Sequence, residues 1–140
     1  MTTTLAILKP DTISAGHAGK ILAHLEAAGF RLRACRFTRL NGLQAEAFYA
    51  VHRDRPFFRS LVSFMTSGPV LPMVLEADDA AARLREAIGA TDPEEAAHGT
   101  VRALYAKSTE RNAIHASDSE ENAAREIAFF FSEADLLGSE

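Results

Sequence analysis

The stretch TTLAILKPDTISAGHAGKILAHLEAAGFRLRACRFTRL, which runs from Thr3 to Leu40, decides the fold of this chain. It opens with a short β-prone run, Thr3–Leu8, which stops near Pro10 because proline cannot donate a hydrogen bond to a neighbouring strand. Apolar residues then recur at helical spacing from Gly16 to Ala28. Residues Phe30 to Leu40 alternate between apolar and basic side chains, as in a strand with one wet face. The stretch therefore predicts a strand, a helix and a second strand.

The second predicted strand has an apolar side made by Leu32, Ala34 and Phe37. Cys35, the single cysteine of the chain, falls in the same strand, and we expect it to be a small core residue. One cysteine can form neither an intramolecular disulfide nor a cluster of thiolate metal ligands. This cysteine usage is typical of a reducing compartment.

The rest of the chain carries further patterns for helices and strands. In chain order they predict a helix at Leu43–His52, a helix at Arg55–Met65, a strand at Val70–Leu75, a helix at Asp79–Ile88 and a strand near Arg102–Ala106. A last helix begins at Ser117 or Ser119 and ends near Phe131, since Ser117-x-x-Glu120 fits a capping box.

This order of elements predicts a single domain of the α+β class over residues 1–140. The nearest arrangement is the ferredoxin-like βαββαβ sandwich, in which helices cover a four-stranded antiparallel sheet. The segment from Gly89 to Ala116 is longer than most loops in compact domains, and such loops are usually functional. We therefore expect a long active-site loop there.

The overall charge argues against partners that bind through a basic surface. The net charge is −4 and the pI is near 5.7, so we expect neither nucleic acid nor an acidic membrane as a partner. An anionic ligand would need basic side chains that converge locally. The amino terminus has no basic leader and its apolar run ends at Leu8, so we expect a cytoplasmic protein.

Three common functional motifs are absent or incomplete. The segment GHAGKI, at Gly16–Ile21, lacks the glycine spacing and the Ser or Thr of a phosphate-binding P-loop. The histidines show no metal-binding spacing, although Mg²⁺ that arrives with a phosphate ligand needs few protein oxygens. The G-x-S-x-G elbow of serine hydrolases does not occur.

His115 lies on a connection, beside hydroxyls, an acid and the start of the last helix. One interpretation is a loop histidine that satisfies a backbone group. The other is a nucleophile or general base, because a neutral imidazole near pH 7 can use its lone pair. Glu126 lies two helical turns beyond Ser119, so it could fix the tautomer of the ring or be a solvated helix residue.

The other candidates also have two interpretations each. Lys9 follows a strand at its carboxyl end, where open sheets place ligand sites, but it could equally extend along the sheet edge. Arg85 ends a helix, which the helix dipole alone would explain, whereas Arg102 lies in the long loop without such a reason. Phe57 and Leu61 form an i,i+4 apolar pair whose default role is core packing.

Taken together, the sequence resembles the nucleoside diphosphate kinase family over nearly its whole length. The matching blocks come in the family's order and spacing: LKPD at Leu8–Asp11, FYAVHRDRPFFRSLVSFMTSGPV at Phe48–Val70, GATDP at Gly89–Pro93, GTVR at Gly99–Arg102 and RNAIHASDSEENAAREI at Arg111–Ile127. The last block is similar to the family's active-site signature, which is its most specific motif.

The resemblance implies a ping-pong transfer of the γ-phosphate from a nucleoside triphosphate, typically ATP, to a nucleoside diphosphate, with little base specificity. His115 would carry the phosphate, and Glu126, with Ser117 as a candidate second partner, would orient the ring. The remaining roles would be Lys9 and Tyr49 beside the phosphoryl group, Arg85, Thr91 and Arg102 on the phosphates, Asn112 with Lys9 on the ribose, and Phe57 with Leu61 on the base. Mg²⁺ would bridge phosphate oxygens, with Asp118 as a candidate for its outer shell.

The resemblance also implies a homo-oligomer built on a dimer, with a tetramer favoured. The alternative within the same fold is a catalytically idle, nucleotide-binding or scaffold protein. An RNA-binding ferredoxin-like module would need a basic sheet face with exposed aromatics, which the net charge disfavours. One departure from the family pattern is Ala116, where glycine is usual. If that position required a positive φ, alanine would cost on the order of 1 kcal/mol.

Overall fold

The structure, a computed structural model, describes residues 1–137. Within that range the elements in chain order are β1 (Thr2–Leu8), α1 (Pro10–Ala15), α2 (Ala18–Ala27), β2 (Arg31–Cys35), α3 (Gly42–Phe48), α4 (Phe58–Met65), β3 (Leu71–Ala77), α5 (Ala80–Ile88), α6 (Val101–Tyr105), β4 (Ile114–Ala116), α7 (Glu120–Phe130) and α8 (Glu133–Leu137). A 3₁₀ turn, Ala50–His52, follows α3.

The four strands form one sheet in the order β2-β3-β1-β4, and every neighbouring pair is antiparallel. This is the ferredoxin-like arrangement that the sequence predicts. β1 lies inside the sheet and is apolar on both sides because successive side chains point to opposite faces. Leu5 and Ile7 pack with residues of α3, α4 and α7, whereas Ala6 and Leu8 pack with residues of α2 and α5. Helices therefore cover both faces of the sheet.

The strand predicted at Arg102–Ala106 is wrong. This segment forms helix α6, whose first turn is capped by the Thr100 side chain. The fourth strand, β4, comes later, inside the segment predicted to be an irregular loop up to Ala116. A pattern over only five residues cannot distinguish a helical turn from a strand, and tertiary packing decides between them.

The helix predicted from Gly16 to Ala28 is confirmed as α2, Ala18–Ala27, and a further short helix, α1, precedes it. Gly16 ends α1 with a left-handed φ of 74°, and α2 starts two residues later. Glycine reaches this conformation without steric cost.

The capping residue of α7 is Ser119, whose Oγ accepts the Asn122 N–H at 3.1 Å, so the capping box predicted from Ser117 is wrong.

The apolar side predicted for β2 is also wrong. The register of β2 against β3 shifts between Leu32 and Ala34, and these two residues pack with the clusters on opposite faces of the sheet. The extra residue of such a bulge reverses the alternation that follows it. As a result Phe37 is 66% exposed and Cys35 is exposed rather than in the core.

Candidate active site

A cleft of about 1080 Å³ opens beside β4. Its walls come from segments that are distant in sequence: the end of α3 and the start of α4, the two stretches flanking α6, and α7. The predicted site residues that line it are Lys9, Tyr49, Phe57, Leu61, Arg85, Thr91, Arg102, Asn112, His115, Asp118 and Glu126. Ser117 is fully buried behind this lining. The structure thus brings together the residues that the sequence proposed separately.

The register of β4 aims His115 into the cleft. Ile114 and Ala116 pack into the cluster shared with α2 and α5, so the residue between them faces the other side of the sheet. There the imidazole stands edge-on to Phe48 and Tyr49, with ring centroids 5.3 and 5.9 Å away. Its side chain remains 18% exposed, so the ring is enclosed but open to a ligand.

Glu126 contacts the His115 ring. Nε2 of His115 lies 2.6 Å from Glu126 Oε1, and the Ser117 hydroxyl donates to the same oxygen at 2.8 Å. Burial alone would raise the pKa of Glu126, but the hydrogen bonds from His115 and Ser117 keep this pKa below its ordinary value. An ionised carboxylate only accepts hydrogen bonds, so Nε2 carries the proton. The lone pair of the ring is therefore on Nδ1.

The imidazole stays neutral near pH 7. Burial lowers the pKa of His115 below 6.5, and the nearby charges of Lys9 and Arg102 act in the same direction. The hydrogen bond and the negative charge of Glu126 oppose this shift without cancelling it. A neutral ring with a free Nδ1 can act as a nucleophile.

Lys9 and Asn112 form a polar pair at the end of β1. Lys9 is buried, and its Nζ donates to Asn112 Oδ1 at 2.8 Å. The Asn112 amide donates in turn to the Thr91 carbonyl at 3.2 Å. Burial, together with the charge of Arg102, lowers the pKa of Lys9 to about 8. A buried cation with one neutral partner is well placed to receive an anionic ligand.

Two guanidinium groups add to this positive charge. Arg102 is buried in α6 and donates to the carbonyls of Gly89 and Ile114 at 3.0 and 2.8 Å. Its Nε is buried and has no hydrogen-bond partner. Burial and the charge of Arg85 lower the pKa of Arg102 to about 10. Arg85 reaches toward the Ala116 carbonyl at 3.4 Å, so most of its donors are free for a ligand.

The mouth of the cleft is aromatic on one side. Phe57 is 46% exposed, and its ring lies 5.3 Å from the ring of His52. Leu61 lies one helical turn further and is buried. Leu61 therefore packs in the core, as expected by default for this pair, whereas Phe57 does not. An exposed aromatic face at the rim of a charged cleft suits a planar ring in the ligand.

Ala116 does not need a glycine-like backbone. It is a residue of β4, and the non-glycine residues with positive φ in the described range are Asp79 and Ala113. The conformational cost of placing alanine at a positive φ therefore does not apply to Ala116. The Ala116 carbonyl instead accepts a hydrogen bond from Arg85 at the wall of the cleft.

Sequence reasoning missed several residues of the cleft. His52, Glu110, Asn122 and Arg125 line it without having been proposed. A signal existed for Asn122, which precedes Glu126 by four residues and so shares its helix face. Asn122 also donates to Asp118 Oδ1 at 2.6 Å. Nothing in the local sequence distinguishes Glu110 from an ordinary loop acid.

A sequence profile of the nucleoside diphosphate kinase family matches residues 2–136. The chain belongs to the nucleoside diphosphate kinase family. A nucleoside diphosphate kinase of Chlamydia felis is 53% identical over 139 residues, which cover 99% of each chain. A nucleoside diphosphate kinase of Anaplasma phagocytophilum is also 53% identical, over 96% of each chain.

Solved nucleoside diphosphate kinase structures have the same fold. The enzyme of Aquifex aeolicus superposes with a TM-score of 0.95 at 47% identity, over 97% of this chain and 99% of the other. The enzyme of Halobacterium salinarum, solved in complex with CDP, gives 0.93 at 41% identity, over 99% of this chain and 92% of the other. The function is therefore that of a nucleoside diphosphate kinase, a phosphotransferase of nucleotide metabolism, rather than of a catalytically idle scaffold.

None of the helices within residues 1–137 combines the length and the apolar character needed to cross a lipid bilayer.

Proposed function

We propose that this nucleoside diphosphate kinase carries the transferred phosphate on Nδ1 of His115. The observation that carries the proposal is the 2.6 Å contact between Nε2 and Glu126, which leaves Nδ1 as the free nucleophile. Its lone pair attacks the γ-phosphorus of a nucleoside triphosphate such as ATP, and the bond from that phosphorus to the β–γ bridging oxygen breaks. The diphosphate leaves with that oxygen. A second nucleoside diphosphate then attacks the phosphohistidine with a terminal oxygen and restores the free ring.

The cations of the cleft stabilise the transferring group. Phosphoryl transfer spreads negative charge over the equatorial oxygens, and fixed positive charges oppose it best in an enclosed site. Arg85 and Arg102 suit this role because the planar guanidinium matches phosphate oxygens in pairs. Burial raises the pKa of Tyr49, so its unpartnered hydroxyl stays protonated and can donate beside the phosphate. Lys9 supplies a further point charge at the same place.

The nucleotide is held mainly through groups that all nucleotides share. Phe57 would stack on the base, with Leu61 beside it, and a stacking contact accepts any base. Lys9 and Asn112 would bind the ribose hydroxyl, and Thr91 would bind phosphate together with the two arginines. These roles support an enzyme of little base specificity that maintains nucleoside triphosphate pools.

The donor set fits Mg²⁺ that arrives with the nucleotide. Within residues 1–137 no cluster of three or more imidazole, thiolate or carboxylate groups could hold a metal. Asp118 lines the cleft and is exposed, and its hydrogen bond from Asn122 lowers the pKa of this carboxyl. One ionised carboxylate suits Mg²⁺, which keeps several waters and needs few protein oxygens. When bound, Mg²⁺ would neutralise phosphate charge, with Asp118 reaching it through a water.

We further propose a cytoplasmic homo-oligomer built on a dimer, with a tetramer favoured, and a single catalytic domain over residues 1–140. No nucleic acid or membrane partner is proposed. An exposed edge strand, β2, and the exposed Phe37 beyond it support association between copies.

One incubation tests the role of His115. The protein is mixed with γ-labelled ATP and Mg²⁺ without acceptor, and a diphosphate of another base is then added. Acid-labile label is expected on the protein and should move to the second nucleotide. His115→Ala should capture none, whereas His98→Ala, which changes an exposed histidine outside the cleft lining, should be labelled normally. Transfer at the parental rate by His115→Ala would show that another group carries the phosphate.

A further inference from the structure

A strained turn lies directly before the strand that carries His115. The Ile114 N–H donates to the Asn112 carbonyl at 2.9 Å, so the three residues Asn112–Ile114 form a γ-turn. Its central residue, Ala113, is fully buried and has a φ of 75°. A γ-turn with positive φ at its centre is rare and strained, and for alanine that φ is unfavourable.

Both backbone polar groups of Ala113 are held by the segment that follows β1. The Ala113 N–H donates to Asp11 Oδ2 at 3.1 Å. The Ala113 carbonyl accepts from the Thr12 hydroxyl at 2.8 Å and from the Lys9 N–H at 3.0 Å. A strained conformation persists only where its surroundings over-determine it, and three contacts on one residue do so here.

The position of Asp11 in the first turn of α1 does not by itself explain these contacts. An acid there interacts favourably with the helix dipole, which needs no specific partner. Asp11 instead accepts from an amide 102 residues away, and its second oxygen, Oδ1, is buried without a hydrogen-bond partner. A carboxylate that is partly desolvated in this way carries a cost. We take that cost as a sign that the hydrogen bond from the Ala113 N–H to Asp11 has a functional role.

We infer that Asp11 and Thr12 are positioning residues, which hold the γ-turn at Ala113 and thereby set the cleft groups on both sides of it. On one side the turn aims Asn112 at Lys9; on the other it delivers the chain into β4 and so fixes His115. This inference rests on the proposed function, because the groups it positions are those of the proposed mechanism. A displacement of about 1 Å at such groups can lower activity by about 100-fold.

Asp11→Ala tests the inference. We expect kcat/KM to fall by about 10- to 100-fold, since the turn can relax and misplace its neighbours. Asp11→Asn keeps an acceptor oxygen in place and should recover most of the loss. Glu133→Ala removes another first-turn acid, on α8 and outside the cleft lining, and should leave activity unchanged.

A second substitution distinguishes positioning from general stabilisation. Glycine adopts a positive φ without strain, so adding Ala113→Gly to Asp11→Ala should restore at least about fivefold of the lost kcat/KM. A purely stabilising role for Asp11 would give recovery in thermal unfolding without recovery in kcat/KM, and that result would overturn the inference. Parental kcat/KM in Asp11→Ala would do the same.

If Asp11→Ala does not fold, Thr12→Val carries the test. It keeps the side-chain volume but removes the donor to the Ala113 carbonyl, and its smaller loss of activity should likewise be recovered by Ala113→Gly. The two proposals fail separately. A fully active Asp11→Ala beside an unlabelled His115→Ala overturns only the positioning role, whereas a labelled His115→Ala overturns the mechanism itself.

Discussion

Two titratable groups of the cleft, His115 and Lys9, should limit activity at opposite ends of the pH range. In the proposed mechanism the His115 ring must be neutral to attack, and burial lowers its pKa below 6.5, so activity should fall only as the pH drops beneath that value. In the same mechanism Lys9 must be protonated to stabilise the phosphate charge, and burial lowers its pKa to about 8. Activity should therefore also fall as the pH rises through about 8. Since kcat/KM reports the free enzyme, its pH profile should be bell-shaped with these two limbs.

A substitution at Lys9 assigns the alkaline limb. A guanidinium does not lose its proton in this range, so Lys9→Arg should keep its charge and lack the limb near pH 8, at a reduced overall rate. As a control, the free nucleotide is titrated over the same pH range, because its phosphate also ionises. An unchanged alkaline limb in Lys9→Arg would mean that another group titrates there.

At this scale the sequence predicted residue types better than it predicted their contacts. His115, Glu126 and the three cations could be proposed from the sequence because each had a residue type and a position suited to phosphate chemistry, and the family motifs then assigned their roles. The γ-turn at Ala113 could not, because alanine gives no sign of a positive φ. The partnership of Asp11 with that turn joins residues 102 positions apart, and no local pattern encodes such a contact.

At the scale of elements, two serines near the start of α7 have different tasks. Ser119 caps the helix, and loss of a cap of this kind costs about 1 kcal/mol, or about 2–4 °C in Tm for a protein near this size. Ser119→Ala should therefore lower Tm while kcat/KM stays close to parental. Ser117→Ala leaves the cap intact but removes the hydrogen bond to Glu126, so it should lower kcat/KM instead. Equal effects of both substitutions on both quantities would contradict this division.

The elements that the sequence mispredicted are short. β4 has three residues, Ile114–Ala116, and one of these is the histidine, so it offers no alternation to detect. α6 has five residues, and its place is set by burial of Val101 and Arg102 rather than by helical periodicity. The long apolar runs of β1 and β3 were predicted within a few residues of their ends, because their burial leaves a strong pattern.

At the scale of the whole molecule, the sequence predicted the ferredoxin-like fold class but not the bulge in β2. The bulge leaves Phe37 exposed beside the edge of the sheet. If this edge joins copies of the chain, sedimentation velocity should give a mass that is a multiple of 15.2 kDa, with four chains favoured. Phe37→Glu should shift the protein to smaller species, whereas Leu43→Glu, a matched change at an exposed residue of α3, should not. An unchanged mass for Phe37→Glu would place the contact elsewhere.

The exposed thiol on that same strand has a practical use. Cys35 is the chain's single cysteine and is not among the residues that line the cleft. A maleimide dye would therefore attach at one defined point and leave the reacting groups untouched. If copies of the chain meet at this edge, the same thiol is covered in the assembly, so its rate of labelling would report on association without engineering any other position.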